Sequence, residues 1–368
     1  METREALAMV FEQPKAPFVA HQIEFPPLNK GEVLVKTIYT TLCTSDLHTY
    51  YGRRISPVPS ILGHEIIGQI VHLPPGEVTD YYGHPLRMGD RITWAVYAHH
   101  AHCRMTQKGL PQKSEGLYKY GHEVLGTDNT LNGGFATHCH LQQGSTIFKL
   151  PPTLSPQEAA PLNCTHATVA GAVRLAGDLQ DKTVLVSGAG MLGLSACAMA
   201  KEQGAHQVWV SDITETRVRY AQCFGADGWI LANQGNDNLK KQTIGKEGID
   251  VIIETSGAPS AVEKGVDLLT IGGTAVLIGS VFSQRNISIN AEQIVRKLLT
   301  IKGLHNYIPQ DLASAINFLQ RTHSIYPFKA LVGKEFPLQQ LKAAFEEGNQ
   351  GRYYRIGVYP TKPEPFGA

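Results

Sequence analysis

The stretch VLVSGAGMLG, Val184–Gly193, constrains the fold more than any other part of the chain. A β-branched run enters a turn that carries Gly188, Gly190 and Gly193 in G-x-G-x-x-G spacing, and GLSACAMAKEQGA continues it with helical character. The first glycine permits a tight turn, the second lets a diphosphate approach the backbone, and the third lets helix and strand pack closely. The helix start then turns unpaired N–H groups and the positive end of its dipole toward the phosphates. The next apolar run, QVWVSD, ends in Asp212, about twenty residues past the last glycine, where an acid accepts hydrogen bonds from a ribose 2′-hydroxyl. A carboxylate there repels a 2′-phosphate, so NAD is expected rather than NADP; Arg217, about one turn into the following helix, is the residue that would favour NADP instead. The bland alternative is a doubly wound domain that has lost its nucleotide, with Asp212 as a helix cap.

Further units repeat the theme. TVLVSG, QVWVSD, GWIL, DVIIET and TAVLIGS read as strands, and helical stretches such as TETRVRYAQCFGA lie between them. Strands alternating with helices imply right-handed crossovers and a parallel sheet covered on both faces. Before about Leu150 the style is different: EVLVKTIYT, IIGQIVHL, DRITWAVYA and FATHCHL are short β-like runs separated by Pro and Gly turns. SPQEAAPLNCTHATVAGAVRLAG then turns Ala-rich and helical in period, with Ser155 as N-cap and Glu158 placed to complete a capping box. With 368 residues, two medium domains are expected. We place a β-rich catalytic domain at 1–152, with the tail 306–368 returning to it, and a doubly wound nucleotide domain at 153–305.

A formal net charge of +1 gives no general attraction to nucleic acid or anionic lipid, and no apolar run is long enough to span a bilayer, so a small-molecule ligand is expected and neither nucleic acid nor membrane. The opening METREALAMVF lacks the pattern of a secretion signal. A cytoplasmic, reducing location is therefore expected, with the six cysteines free, buried or metal-bound.

CTSDLHTYYG and ILGHEIIG gather Cys43, Ser45, Asp46 and His48 ahead of His64 and Glu65. Catalytic zinc takes three N and S ligands plus an open position. Cys43 and His64 supply two, and Cys164, in LNCTHAT at the expected domain junction, could supply the third.

In this order CTSDLH, GHE, NCTHAT, GAGMLG and SDIT resemble the zinc-dependent medium-chain alcohol dehydrogenases over nearly the whole chain. CTSDLHTYYGRR, ILGHE and GLPQKSEGLYKYGHE are similar to a bacterial branch described as phosphonate-catabolism-associated alcohol dehydrogenases. The family resemblance implies an α/β protein with a GroES-like catalytic domain and a Rossmann coenzyme domain. It implies zinc on Cys43, His64 and Cys164, with Glu65 the adjacent acid that can approach the metal and Asp46 the acid that orients the zinc-bound imidazole. It further implies that Ser45 and His48 relay the alcohol proton, and that Thr44 and Arg355 contact the cofactor diphosphate. Arg53 and Arg54 are then candidates to grip an anionic substrate such as a phosphonate or carboxylate, or else are two solvated arginines in a Gly turn.

The family's structural zinc uses four cysteines. That spacing falls here on His100, Cys103, Thr106 and Ser114, so three thiols are replaced. Ser and Thr hydroxyls do not ionise at neutral pH, and one zinc per chain is expected, with no structural zinc. A rescue by His99, His100, His102 and Cys103 would need a specific turn. The resemblance also implies a homodimer or homotetramer built on a sheet edge such as the strand TAVLIGS. Two readings compete with an alcohol dehydrogenase: a zinc-free quinone or enoyl reductase of the same fold, and a non-catalytic dinucleotide-binding protein.

Overall fold

The computed structural model describes residues 4–127, 130–233 and 248–360. The chain forms two compact units, one of Met1–Cys164, Ile308–His323 and Phe328–Ala368, the other of Thr165–Tyr307 and Ser324–Pro327.

The second unit is built on a six-stranded sheet in the order Gly228–Leu231, Gln207–Asp212, Thr183–Ser187, Ile249–Glu254, Leu269–Leu277, Thr300–Gly303, with every neighbour pair parallel. Thr183–Ser187 is buried at all five positions, as a central strand covered on both faces must be. The strand containing TAVL is not the edge expected of it, because Thr300–Gly303 pairs along its outer side. That edge strand escaped notice in the sequence because it is only four residues long and follows directly on the helix Ala291–Lys297. Such a segment is too short to display a period of two.

The Ala-rich run after Pro151 is broken into three pieces: a helix Pro156–Ala159, a 3-10 turn Ala160–Asn163 and a helix Thr165–Ala176. The capping box forms, with the Ser155 N–H donating to Glu158 at 2.9 Å and the Glu158 N–H to the Ser155 hydroxyl at 3.4 Å. Pro161 has no N–H to donate and its ring crowds the preceding turn, which prevents one continuous helix. Cys164 lies at the break, with φ −132° and ψ −76°.

The first unit holds an eight-stranded sheet. Its path runs Val332–Pro337, Arg355–Tyr359, Val33–Thr41, Glu65–His72, Arg91–Ala98, Tyr118–Lys119, with His138–Leu141 and Ser145–Lys149 pairing beside it. The late strand Arg355–Tyr359 lies antiparallel to Val33–Thr41, with Gly357 opposite Thr41. Thr41 is in turn opposite Glu65, so three strand ends meet at one place. A short helix, Thr44–Tyr50, leaves the end of Val33–Thr41 and is pinned by an aromatic cluster. Tyr50 stacks on Phe18 at 5.1 Å between centroids and meets Phe345 at 4.8 Å. Each such pair adds about 0.5–1.5 kcal/mol beyond the area it buries, enough to hold a two-turn helix that would not persist alone. Among the described residues no helix is long and apolar enough to cross a membrane.

Candidate active site

Cys43 is the N-cap of the helix Thr44–Tyr50, in extended backbone at φ −80° and ψ 153°. Asp46, three residues on and fully buried, accepts the Cys43 N–H at 2.9 Å through one carboxylate oxygen. Its other oxygen accepts the Gly63 N–H at 3.3 Å and lies 3.3 Å from Nδ1 of His64. One carboxylate thus fixes both the cysteine and the imidazole. Gly63 makes the turn that presents His64, at φ +89°, where an added Cβ would also come within 3.1 Å of the Phe135 backbone.

Cys43, His64 and Cys164 bring their ligand atoms within 4.8 Å of one another, forming the only such group among the described residues. Cys164 reaches it because the helix break turns its side chain out of the helical path. The thiol of Cys43 is held well below its usual range by hydrogen bonding with Cys164 and by the charges of Arg355 and His64, against the effect of burial. Cys164 moves the other way, raised by that same bond and by burial. Burial lowers the His64 pKa, but the Asp46 carboxylate and Cys43 outweigh it and raise it to about 10. The donor set suits zinc: two sulfurs and a nitrogen, with a carboxylate behind the imidazole to fix its orientation.

Around this triad, Ser45 places its hydroxyl 3.4 Å from Nε2 of His64. His48 lies one turn further along the same helix, half-buried, and its pKa is lowered by burial and then by Arg53. Thr44 is exposed at the helix start. Glu65 has both oxygens engaged, by Arg355 at 2.8 Å each and by the Thr41 hydroxyl at 2.5 Å. Arg355 therefore does not present its fork to a diphosphate. It is 5% exposed, its remaining NH1 donates to the Tyr354 carbonyl, and NH2 points at the Cys43 sulfur from 3.9 Å. Arg53 and Arg54 separate. Arg53 donates to the Asn349 side chain at 3.2 Å and sits over the Tyr51 ring at the surface, whereas Arg54 is half-buried.

Sequence reasoning missed the turn Lys119–His122. The His122 ring lies 5.2 Å from the His64 ring, and Lys119 is half-buried within the fields of Cys164 and Cys43. Its signal was a Lys and a His around a glycine in GLYKYGHE, which gains meaning only when the turn is placed against Gly63.

In the nucleotide unit, Gly188 has φ +103°, and a Cβ on Gly193 would fall 1.8 Å from the Gly188 carbonyl oxygen. A Cβ on Gly190 would meet nothing within 4 Å, so the space over the turn is open to a ligand. Gly190 caps the helix Met191–Glu202. Asp212 accepts the Ala189 N–H at 2.8 Å and the Thr214 N–H at 2.9 Å, which ties the glycine turn to the end of the second strand. Arg217 lies in the helix Glu215–Tyr220. These residues suit a dinucleotide.

The loop His99–Ser114 is organised by hydrogen bonds. Cys103 accepts the Glu115 N–H at 3.1 Å, and Ser114 accepts the His100 N–H at 3.2 Å. The Ser114 hydroxyl and the Glu115 N–H lower the Cys103 pKa to about 7.

Two family models match. One, described as alcohol dehydrogenase GroES-like domain, covers residues 29–152, and the other, zinc-binding dehydrogenase, covers 192–321. The chain is 33% identical over 298 residues to an L-threonine 3-dehydrogenase of Pyrococcus horikoshii, 77% of this chain and 78% of that protein. It is 30% identical over 354 residues to a sorbitol dehydrogenase of Halalkalibacterium halodurans, 93% and 96% of the two chains. The solved structure of an alcohol dehydrogenase from Thermotoga maritima superposes with a TM-score of 0.91 at 26% identity, covering 97% of this chain and all of the other. With its GroES-like and Rossmann-type halves and its matches to both models, the chain belongs to the zinc-type medium-chain alcohol dehydrogenase family.

Proposed function

We propose that the protein is a zinc- and NAD-dependent oxidoreductase that interconverts a small alcohol and its aldehyde or ketone. The observation that carries this reading is the convergence of Cys43, His64 and Cys164 with Asp46 behind the imidazole. A zinc-free reductase or a non-catalytic dinucleotide binder has no use for such a set.

When bound, zinc polarises the substrate oxygen and the nicotinamide takes up the hydride. The chain's own residues do the rest. Cys43, His64 and Cys164 hold the metal, and Asp46 keeps the His64 ring turned so that Nε2 faces away from it. Ser45 accepts the alcohol proton as it passes its own toward His48, which is neutral at pH 7 because burial and Arg53 lower its pKa. Glu65 and Arg355 form a buried pair beside Cys43, and the Arg355 charge favours the thiolate needed for ligation. Gly188, Gly190 and Gly193 cradle the diphosphate, and Asp212 receives the ribose, which favours NAD.

The loop around Cys103 offers one thiol, already hydrogen-bonded within the loop, so one zinc per chain is the proposed content. The edge strand Thr300–Gly303, unpaired on its outer side among the described residues, with Val295 and Leu298 each 72% exposed just before it in the chain, supports assembly into a homodimer or homotetramer.

Elemental analysis of protein purified without chelators or a histidine tag tests the reading, together with alcohol-dependent NADH formation. About one zinc per chain and turnover that disappears on chelation are expected. Two zinc ions per chain would reinstate a metal in the His99–Ser114 loop. No zinc after reconstitution would overturn the mechanism.

A further inference from the structure

The parallel sheet of the nucleotide unit reverses its strand order between Thr183–Ser187 and Ile249–Glu254, and later strands step outward from that pair in opposite directions. In such a sheet a ligand lies across the crevice outside the carboxyl ends of those two strands. Ser187 and Glu254 each end their strand there, opposite one another. An acid is an unexpected residue at this place, because Glu254 is 0% exposed.

Its Oε1 accepts three hydrogen bonds from the turn that follows: the Ser256 N–H at 2.8 Å, the Ser256 hydroxyl at 2.6 Å and the Gly257 N–H at 2.9 Å. Its backbone carbonyl accepts the Ile278 N–H at 2.9 Å and the Gly279 N–H at 3.0 Å, just where the neighbouring strand Leu269–Leu277 ends. One residue thus holds the loops that leave two adjacent strands. Those loops interlock, since a Cβ on Gly257 would run into the Gly279 carbonyl oxygen, and the Gly257 carbonyl accepts the Gln284 side chain at 2.7 Å. On its other side the same turn meets the glycine turn. The Thr255 hydroxyl donates to the carbonyls of Ser187 at 2.8 Å and Gly188 at 3.2 Å, and a Cβ on Gly188 would fall 2.7 Å from that hydroxyl oxygen. The arrangement carries a cost. Oε2 of Glu254 is buried with no hydrogen-bond partner among the described residues, so it gives up hydration without replacement. Burial pushes the Glu254 pKa up although the hydrogen bonds to its carboxylate oppose the shift. Local costs of this kind persist where the surroundings over-determine them, and they gather at ligand sites.

We infer that Glu254 is a positioning residue for the dinucleotide, fixing with its carboxylate the turn Thr255–Gly257 that borders Gly188 and with its carbonyl the loop that begins at Ile278. The inference rests on the proposed binding of NAD and adds a residue to it. Because three donors from the turn occupy Oε1, Glu254 acts through these two loops, and Asp212 keeps the ribose.

The test measures Tm and the dissociation constant of NADH, by fluorescence, on the full chain. Glu254→Ala releases all three donors at once and should weaken NADH binding by roughly tenfold or more, since hydrogen bonds to a charged acceptor are the strong ones. Glu254→Gln keeps a carbonyl oxygen for the same donors and should recover most of that loss. Ser256→Ala removes a single donor and should weaken binding about threefold, which decides the matter should Glu254→Ala fail to fold. In the zinc-loaded protein KM for NAD should rise in Glu254→Ala and Ser256→Ala while KM for the alcohol stays where it is. A residue that only stabilises the sheet would lower Tm and leave both the NADH dissociation constant and KM for NAD unchanged. That result, or a Glu254→Gln variant as weak as Glu254→Ala, overturns the inference, and NADH binding by the wild type then leaves the cofactor reading intact. A wild type that binds no NADH overturns both.

Discussion

Arg355 grips Glu65 through two parallel hydrogen bonds of 2.8 Å, joining residues 290 positions apart in the interior of the catalytic unit. Both side chains are buried, at 5% and 0% exposure, and the guanidinium also faces the sulfur of Cys43. Arg355→Met would leave the buried Glu65 carboxylate without the cation that now faces it. Breaking a buried pair on one side costs about 3–5 kcal/mol, which denaturant unfolding of the two proteins will measure. The double variant Arg355→Met, Glu65→Leu should recover much of that loss.

Asp46 supports both the first cysteine and the histidine of the triad, so its removal should act on metal before it acts on fold. Asp46→Asn is expected to weaken zinc affinity or activity by roughly tenfold to a hundredfold. Competition with a chelator of known affinity reads the first quantity and steady-state kinetics the second. Unchanged zinc affinity and rate would mean that Asp46 is only a helix cap.

In the proposed mechanism His48 accepts the proton, so it would set the acid limit of alcohol oxidation. Its pKa is lowered, so the neutral, proton-accepting form persists below the usual histidine range and is lost only as pH falls through the depressed value. The acid limb of kcat should therefore lie below about pH 6.5. Arg53→Gln removes a charge that lowers the value and should move the limb upward. His48→Gln should remove the limb and slow oxidation by roughly a hundredfold.

The proposed preference for NAD rests on Asp212. Asp212→Asn keeps an oxygen for the Ala189 or Thr214 N–H and removes the negative charge. The ratio of kcat/KM for NADP over NAD should rise by roughly tenfold or more, since close like charges cost several kcal/mol. A ratio that does not move would place cofactor choice elsewhere, with Arg217 the next residue to test.

Local pattern carried the nucleotide unit. The glycine turn, its flanking strand and helix, and Asp212 lie within thirty residues or so, and their meaning depends on neighbours in the chain. Cys43, Asp46 and His64 were legible for a similar reason, since two short motifs contain them. The structure added what depends on distant contacts. Nothing near Arg355 in the chain announces that its strand pairs with Val33–Thr41, or that Glu65 waits there for its charge. The helical period of the run containing Cys164 concealed the break that frees its thiol, although Pro161 marked the place. Lys119 was invisible as a site residue because its position follows from Gly121 lying on Gly63, a contact between two residues without side chains.

The pairing of Arg355–Tyr359 with Val33–Thr41 also sets an order of events during synthesis. Cys43, His64 and Cys164 leave the ribosome long before residue 355, yet the guanidinium that favours the Cys43 thiolate arrives only with the last strand. From the synthesis of Cys164 until the last strand, a nascent chain therefore carries all three candidate ligands without the charge that favours the Cys43 thiolate. Contacts of such long sequence separation form late. The candidate ligand set thus gains its full electrostatic support only in the finished chain, and a chain released before that strand lacks the cation that faces Glu65.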